Sequence, residues 1–501
     1  MAPHAHLRLS RRAALQALGG TTMGAIALSL GGSGVALAAP SAPTPPHTMD
    51  LDPVLGPMDQ QLRQMMKVND VPGVAVGLLI DGQPHAGGWG VTNLDYPRPV
   101  DSATVFQIGS STKPFTGAAL VRLVDQGKLD LDAPVRTYVS DFRIADQEAS
   151  ERITVKHLVT HTSGFWGEEI PDGGRGDDAL ARMAPRLSDR PQVTPPGRFF
   201  GYNNAAVALA GNVLATVSGH AYENAINELL LRPLGMGRSS FFLNDVIDYS
   251  VAAGHVVGAR GLQVERPFTS GLLTRSLAPT GGLLSTAEDM LRWASFQLGD
   301  GGAGDGTPLL SRETLALTHR QLAPAGGIGT DDYDGVGINW LLRNVGGVQI
   351  VEHGGTTPGQ RARVLLVPER NFGFVLLTNS PGGSAIRNDL TAWVLDHYLD
   401  VRQSPRTPID PPDGMLSNYS GSYGVPPYWV PARVMRDGKR VMLQRLEDDG
   451  SPQGSPAALE FYAPDRGVLP DGSLADFLRD DNGDVRWMRF LGRVFSRLPT
   501  E

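Results

Sequence analysis

The stretch best equipped for covalent chemistry is Gly109-Ser110-Ser111-Thr112-Lys113-Pro114-Phe115. It reads as the end of an extended segment, Thr104 to Ile108, running into the first turn of a helix that stops at Gly127. Positions three apart share a helix face, so the Ser110 hydroxyl and the Lys113 amine can meet. Serine alone is a poor nucleophile at neutral pH. A lysine desolvated beside it, at the positive end of a helix, loses proton affinity and can activate it. Of the five lysines in the chain, only Lys113 has a serine three residues before it. Pro114 pushes the residue before it away from helical angles, and the conflict eases if Lys113 lies in the first turn.

A second polar turn, Pro195 to Asn204, delivers the Tyr202 hydroxyl and the amides of Asn203 and Asn204 directly before a helix from Ala205 to Val217. A similar triplet, Tyr222-Glu223-Asn224, falls inside an amphipathic pattern and reads as packing. His157 and His161 stand four apart in a segment, Ile153 to Gly164, expected to be a short helix closed by glycine. A zinc-protease helix carries a glutamate straight after its first histidine; Leu158 stands there, so the two read as a structural pair and no metal is expected.

These groups need a scaffold, and the pattern supplies one. A helix from Asp59 to Met66 precedes a buried strand, Val74 to Ile80, an Asp81-Gly82 turn and a returning strand, His85 to Val91. Ser285-Thr286-Ala287-Glu288 has the form of a capping box for a helix to about Leu298. Strands follow at Val348–Thr356, Arg363–Pro368 and Phe372–Asn379, then a helix from Ala385 to Leu399. Beyond a proline-rich linker at 401–413, short alternating strands with Asp437-Gly438, Asp471-Gly472 and Asn482-Gly483 turns mark a small β domain at 414–501.

Residues 1–39 do not belong to that fold. Ser10-Arg11-Arg12 is a twin-arginine pattern, and the apolar stretch Thr21 to Leu37 ends in Ala36-Leu37-Ala38, a small-residue cleavage signal. The expectation is an exported protein, periplasmic or secreted, with no stable membrane anchor after processing and with 40–54 as a linker. The full chain holds 44 basic and 52 acidic residues; without Arg8, Arg11 and Arg12 it holds 41 against 52, a net charge of −11. That excess argues against nucleic acid as a partner. No cysteine is present, which excludes thiol chemistry and disulfide stapling.

Ser110-x-x-Lys113, Tyr202-x-Asn204 and His353-x-Gly355, in this order, resemble the three motifs of the penicillin-recognising serine hydrolases. The branch is that of class C β-lactamases, D,D-carboxypeptidases, D-aminopeptidases and related esterases, and the resemblance covers about residues 55–400. It implies an α+β, β-lactamase-like fold: an antiparallel sheet flanked by helices plus an all-helical region, followed by a small C-terminal β-barrel that either shapes the cleft or is an appendage. It also implies a Ser110 acyl-enzyme with no cofactor. Lys113 or Tyr202 serves as base, Asn204 orients a peptide-like or small-molecule substrate, and the backbone N–H groups of Ser110 and Thr356 form the oxyanion hole. One departure stands out: dedicated class C β-lactamases carry Lys-Thr-Gly where this chain has His353-Gly354-Gly355. Histidine is mostly neutral at pH 7 and leaves a substrate carboxylate without a fixed positive charge. Peptidase, amidase or esterase work on D-amino-acid or ester substrates is therefore expected ahead of β-lactam turnover; an acylated sensor remains an alternative.

Overall fold

The computed structural model describes residues 52–266, 274–410 and 416–499. The expected leader at 1–39, most of the 40–54 linker and residues 411–413 of the second linker lie outside them.

Helix α1 (Gly56–Val68) leads into the hairpin β1 (Gly73–Ile80) and β2 (Gln83–Gly90). A 3₁₀ turn at Gly109–Thr112 feeds α2 (Lys113–Asp125), and α3 (Asn204–Ser218) and α4 (Ala287–Leu298) follow. Strands β3 (Leu341–Val345), β4 (Val348–Thr356), β5 (Arg361–Val367) and β6 (Phe372–Thr378) then precede α5 (Gly383–Leu399). The sheet runs β2-β1-β6-β5-β4-β3 and is extended by two two-residue strands, Gly335–Val336 and Ala323–Pro324. Every neighbouring pair is antiparallel.

Each face of this sheet is covered, which is why β5 and β6 are buried along their length and, apart from Arg361, Arg363 and Thr378, apolar. One face, with Ala75, Val351, Val364 and Val375, packs against α4 and the Gly109–Thr112 turn, with α2 and α3 continuing the same apolar cluster behind them. The other, with Val74, Ile350, Leu365 and Phe374, packs against α1 and α5. Helix α2 is buried from Lys113 to Val121 and sits inside the molecule. Pro114 lies in its first turn, where the missing N–H has no intrahelical partner to lose.

The β-lactamase-like expectation is met, and so is the barrel. Strands β7 (Gly421–Val425), β8 (Trp429–Asp437), β9 (Arg440–Leu446), β10 (Pro452–Ala463), β11 (Arg466–Val468), β12 (Leu474–Arg479), β13 (Val485–Phe490) and β14 (Arg493–Arg497) close in sequence order. Trp166, from the part of the chain before the barrel, is packed into the barrel's apolar cluster.

Two local expectations are corrected. The helix expected over Ile153 to Gly164 is only Val155–Val159, capped by Thr154. The chain bends out of it through His161 at φ 56° and Gly164 at φ 78°, so His157 and His161 do not share a helix face. The cap of α4 is Thr286, which accepts from the Asp289 N–H at 3.1 Å. Ser285 instead belongs to a strand pair with Phe106 and bonds Ser239.

Candidate active site

The 3₁₀ turn that carries Ser110 is pinned from several sides. The Ser111 hydroxyl donates to the His353 carbonyl at 3.1 Å, the Leu283 N–H donates to Thr112 Oγ1 at 3.2 Å, and Asn339 Nδ2 donates to the Lys113 carbonyl at 3.1 Å. Gly109 enters the turn at φ 51°, and a Cβ there would stand 2.8 Å from the Thr356 backbone nitrogen. A Cβ on Gly355 would stand 1.8 Å from the Ile108 carbonyl oxygen. Two glycines thus let the nucleophile turn lie directly against the end of β4, bringing the Ser110 and Thr356 backbones together.

Lys113 Nζ lies 3.0 Å from Ser110 Oγ and donates to the Thr280 carbonyl at 2.7 Å. The residue is fully buried. Burial pushes its proton affinity well below the ordinary lysine value, and the Arg493 cation pushes the same way. Among the described residues no carboxylate pairs with it, and the Glu168 carboxylate offsets the lowering only in part, so the neutral amine is favoured more than in a free lysine.

Tyr202 reaches Ser110 from the other side with its hydroxyl. Its position comes from the start of α3. Asn203 caps that helix by accepting the Ala206 N–H at 2.8 Å, while its amide donates to the Phe165 carbonyl at 2.7 Å. Burial pushes Tyr202 up to about 12, against the lowering effects of the Ser110 hydrogen bond and the Arg493 cation. The phenol is therefore protonated at neutral pH, and Lys113 is the stronger candidate for the base.

Of the expected residues, Ser110, Lys113, Tyr202, Gly355 and Thr356 converge. Asn204 is half-buried in the first turn of α3, and no hydrogen bond joins its side chain to the described residues. His353 was expected to face substrate, yet it is only 2% exposed. Its Nδ1 bonds the Gly354 carbonyl at 2.7 Å, Nε2 has no partner, and burial pushes its pKa down to about 3. It is a neutral wall behind Tyr202, with ring centroids 6.1 Å apart.

Three residues at the site had been given no role. His161 stacks on Tyr202 with centroids 4.6 Å apart, and its Nδ1 accepts the Asn203 N–H at 3.1 Å. Arg493, from the barrel, lies over the other part of Tyr202, 5.0 Å from the ring centroid. Glu168 holds that guanidinium at 2.7 Å. The sequence signal for His161 was its place in a His-Thr-Ser-Gly stretch; Arg493 and Glu168 had none.

A buried Lys113 between the half-buried Ser110 and Tyr202, at a helix start against a strand end, has the arrangement of a candidate serine acyl-transfer site. The chain belongs to the Beta-lactamase family, whose model matches residues 58–398. It is 32% identical to penicillin-binding protein 4 of Amycolatopsis lactamdurans over 355 residues, 70% of this chain and 93% of that one. It is 26% identical to protein flp of Staphylococcus aureus over 330 residues, 64% of this chain and 62% of that protein. Among solved structures, SurE superposes with a TM-score of 0.72 at 24% identity, over 88% of this chain and 99% of SurE. The octameric penicillin-binding protein homologue of Pyrococcus abyssi superposes with a TM-score of 0.59 at 25% identity, over 89% and 100%.

Proposed function

We propose that this protein is an exported serine hydrolase that acts through a Ser110 acyl-enzyme on peptide, amide or ester substrates of the D-amino-acid type. The observation that carries the reading is the buried, uncompensated Lys113 amine 3.0 Å from Ser110 Oγ. In the first step Oγ bonds to the substrate carbonyl carbon while its proton passes to Lys113. The carbonyl oxygen, now an oxyanion, is held by the backbone N–H groups of Ser110 and Thr356. The C–N or C–O bond then breaks, and the leaving group takes its proton through the Tyr202 hydroxyl, which Lys113 replenishes. Water repeats the sequence in reverse and frees the serine.

The preference for peptidase or esterase work over β-lactam turnover rests on the third element. A buried His353 held neutral gives a β-lactam carboxylate no counter-charge there. The relative named as a penicillin-binding protein supports acylation by a β-lactam, which is a different event from turnover. The twin-arginine pattern supports export.

The test is intact mass on the protein lacking residues 1–39, incubated with a penicillin, a p-nitrophenyl ester and a D-alanyl p-nitroanilide, beside Ser110→Ala. An adduct absent from S110A, turning over with ester or D-amide and stalling with penicillin, is expected. Rapid penicillin turnover would replace the reading with a β-lactamase; stalling with all three would make the protein an acylated sensor. No adduct at all in folded protein would sink the hydrolase reading.

A further inference from the structure

The barrel touches the chemistry at one place. Strands β13 and β14 pair Phe490 with Arg493, leaving Leu491 and Gly492 as a two-residue turn at φ 52° and 79°. Both residues are left-handed, as the tight hairpin turn demands, and Leu491 bears the strain of doing so without being glycine. This turn lies on the active site: the Gly492 carbonyl accepts the Tyr202 N–H at 2.8 Å. Arg493 is aimed by three contacts: it donates from Nη1 to the Leu491 carbonyl at 2.9 Å, pairs with Glu168 at 2.7 Å and covers the Tyr202 ring. The ion pair is partly exposed, 18% for Arg493 and 34% for Glu168, so it contributes little to stability. Its position beside the base pair calls for another explanation.

We propose that the barrel is a working part of the catalytic site, in which Arg493 and Glu168 act as positioning residues that set the pH at which Ser110 becomes nucleophilic. This rests on the acyl-enzyme reading above. Tyr202 and Lys113 are faced by His161 from the turn after Val155–Val159, by His353 from β4, by Glu168 from the loop beyond Gly164 and by Arg493 from the hairpin. Burial holds both histidines neutral. Arg493 and Glu168 are therefore the charges left to bias the site, and they bias it oppositely. A guanidinium near Tyr202 and Lys113 disfavours an ammonium and favours a phenolate, so it lowers both proton affinities; a carboxylate raises both. The sign is the same whichever of the two is the base.

The test is kcat/KM for acylation by neutral p-nitrophenyl acetate from pH 5 to 10, which reports ionisations of the free enzyme. Wild type, Arg493→Gln, Arg493→Lys, Glu168→Gln and the double variant R493Q/E168Q are compared. The acidic limb should move up by roughly one pH unit in R493Q and down by a similar amount in E168Q, as expected for one charge at this range. It should stay near wild type in R493K and return toward wild type in the double variant. Loss of activity at every pH with an unmoved limb, or shifts in the same direction, would show that the pair only anchors the hairpin. If R493Q does not fold, an unmoved limb in E168Q alone overturns the proposal. Wild type that forms no Ser110 adduct fails earlier, and in that case the hydrolase reading falls and takes this proposal with it.

Discussion

Lys113→Met separates chemistry from stability. Methionine nearly matches the volume of the lysine stem and removes only the amine. The lysine is fully buried, with Ser110 Oγ at 3.0 Å and the Thr280 carbonyl at 2.7 Å as its polar neighbours. Deleting the amine strands the Thr280 carbonyl, at a cost of about 1–3 kcal/mol. Against this stands the cost of keeping a lysine neutral. The unfolded chain binds a proton at this residue up to about pH 10.5, and the folded chain gives it up well below that value. Folding therefore releases a proton between the folded-state titration of Lys113 and about pH 10.5, and across that interval wild-type stability rises with pH by about 1.4 kcal/mol per unit from this group. K113M lacks that slope. Urea denaturation from pH 7 to 10 should show wild type gaining on K113M over the part of this range that lies above the folded titration of Lys113, by up to about 1.4 kcal/mol per unit, with K113M at least as stable as wild type at pH 7. Acylation by an ester should fall by about 10²–10⁴-fold through loss of the base. Parallel stability–pH profiles would refute the argument, because they would mean that Lys113 keeps its proton in the folded state.

Gly109→Ala tests the oxyanion hole without touching the nucleophile. The left-handed backbone at φ 51° costs a side chain about 1–2 kcal/mol, and its Cβ would press on the Thr356 nitrogen from 2.8 Å. A modest loss in urea midpoint with an acylation rate lowered by about 10²–10³-fold is expected; an unchanged rate would remove Thr356 from the mechanism. His319→Gln addresses acid sensitivity. Burial pushes His319 down to about 4, so its contribution is fully present above about pH 6.5 and is lost progressively as pH falls toward 4. Wild type should lose roughly 3 kcal/mol more than H319Q between pH 7 and 4 by this linkage, and equal losses in urea titrations would count against it.

The Ser110–Lys113 contact was legible because its logic is local. Ser110 and Lys113 lie one turn apart, and the motif spacing already states the contact. Tyr202 was legible because it sits beside a helix cap, and β4 because its apolar alternation ends in Gly354-Gly355. The local errors arose where two signals overlapped. Ser285-Thr286-Ala287-Glu288-Asp289 holds two capping frames shifted by one residue. Pairing of Ser285 with Phe106 takes the first frame into a strand and leaves Thr286 as the cap. The helix after Ile153 shortened because its end must turn to lay His161 on Tyr202, and the site rather than propensity sets that bend. His353 shows the limit of motif transfer: the order of residues predicts which backbone lies near Ser110, but burial decides whether its side chain faces the cleft.

The role of the barrel was beyond sequence for a different reason. Its strands and turns are local and were visible; its docking is a property of two surfaces far apart in the chain. Trp166 enters the barrel core beside Phe495, with centroids 5.7 Å apart, and Trp487 Nε1 donates to the Val193 carbonyl at 2.8 Å. Burying an indole removes about 200 Å² from water, worth roughly 5 kcal/mol at 25 cal/mol/Å². The loops that carry Trp166 and Val193 are the ones that carry Glu168 and lead to Tyr202, so the same contacts that seat the barrel also fix Tyr202. The Gly492 carbonyl supplies the acceptor for the Tyr202 N–H at 2.8 Å; without it a buried donor would be left unpaired. An appendage would bury apolar surface away from the reacting groups. Here the docking interface and the Ser110–Lys113 cluster share Tyr202, so the contacts that seat the barrel and those that place Tyr202 beside Ser110 are the same.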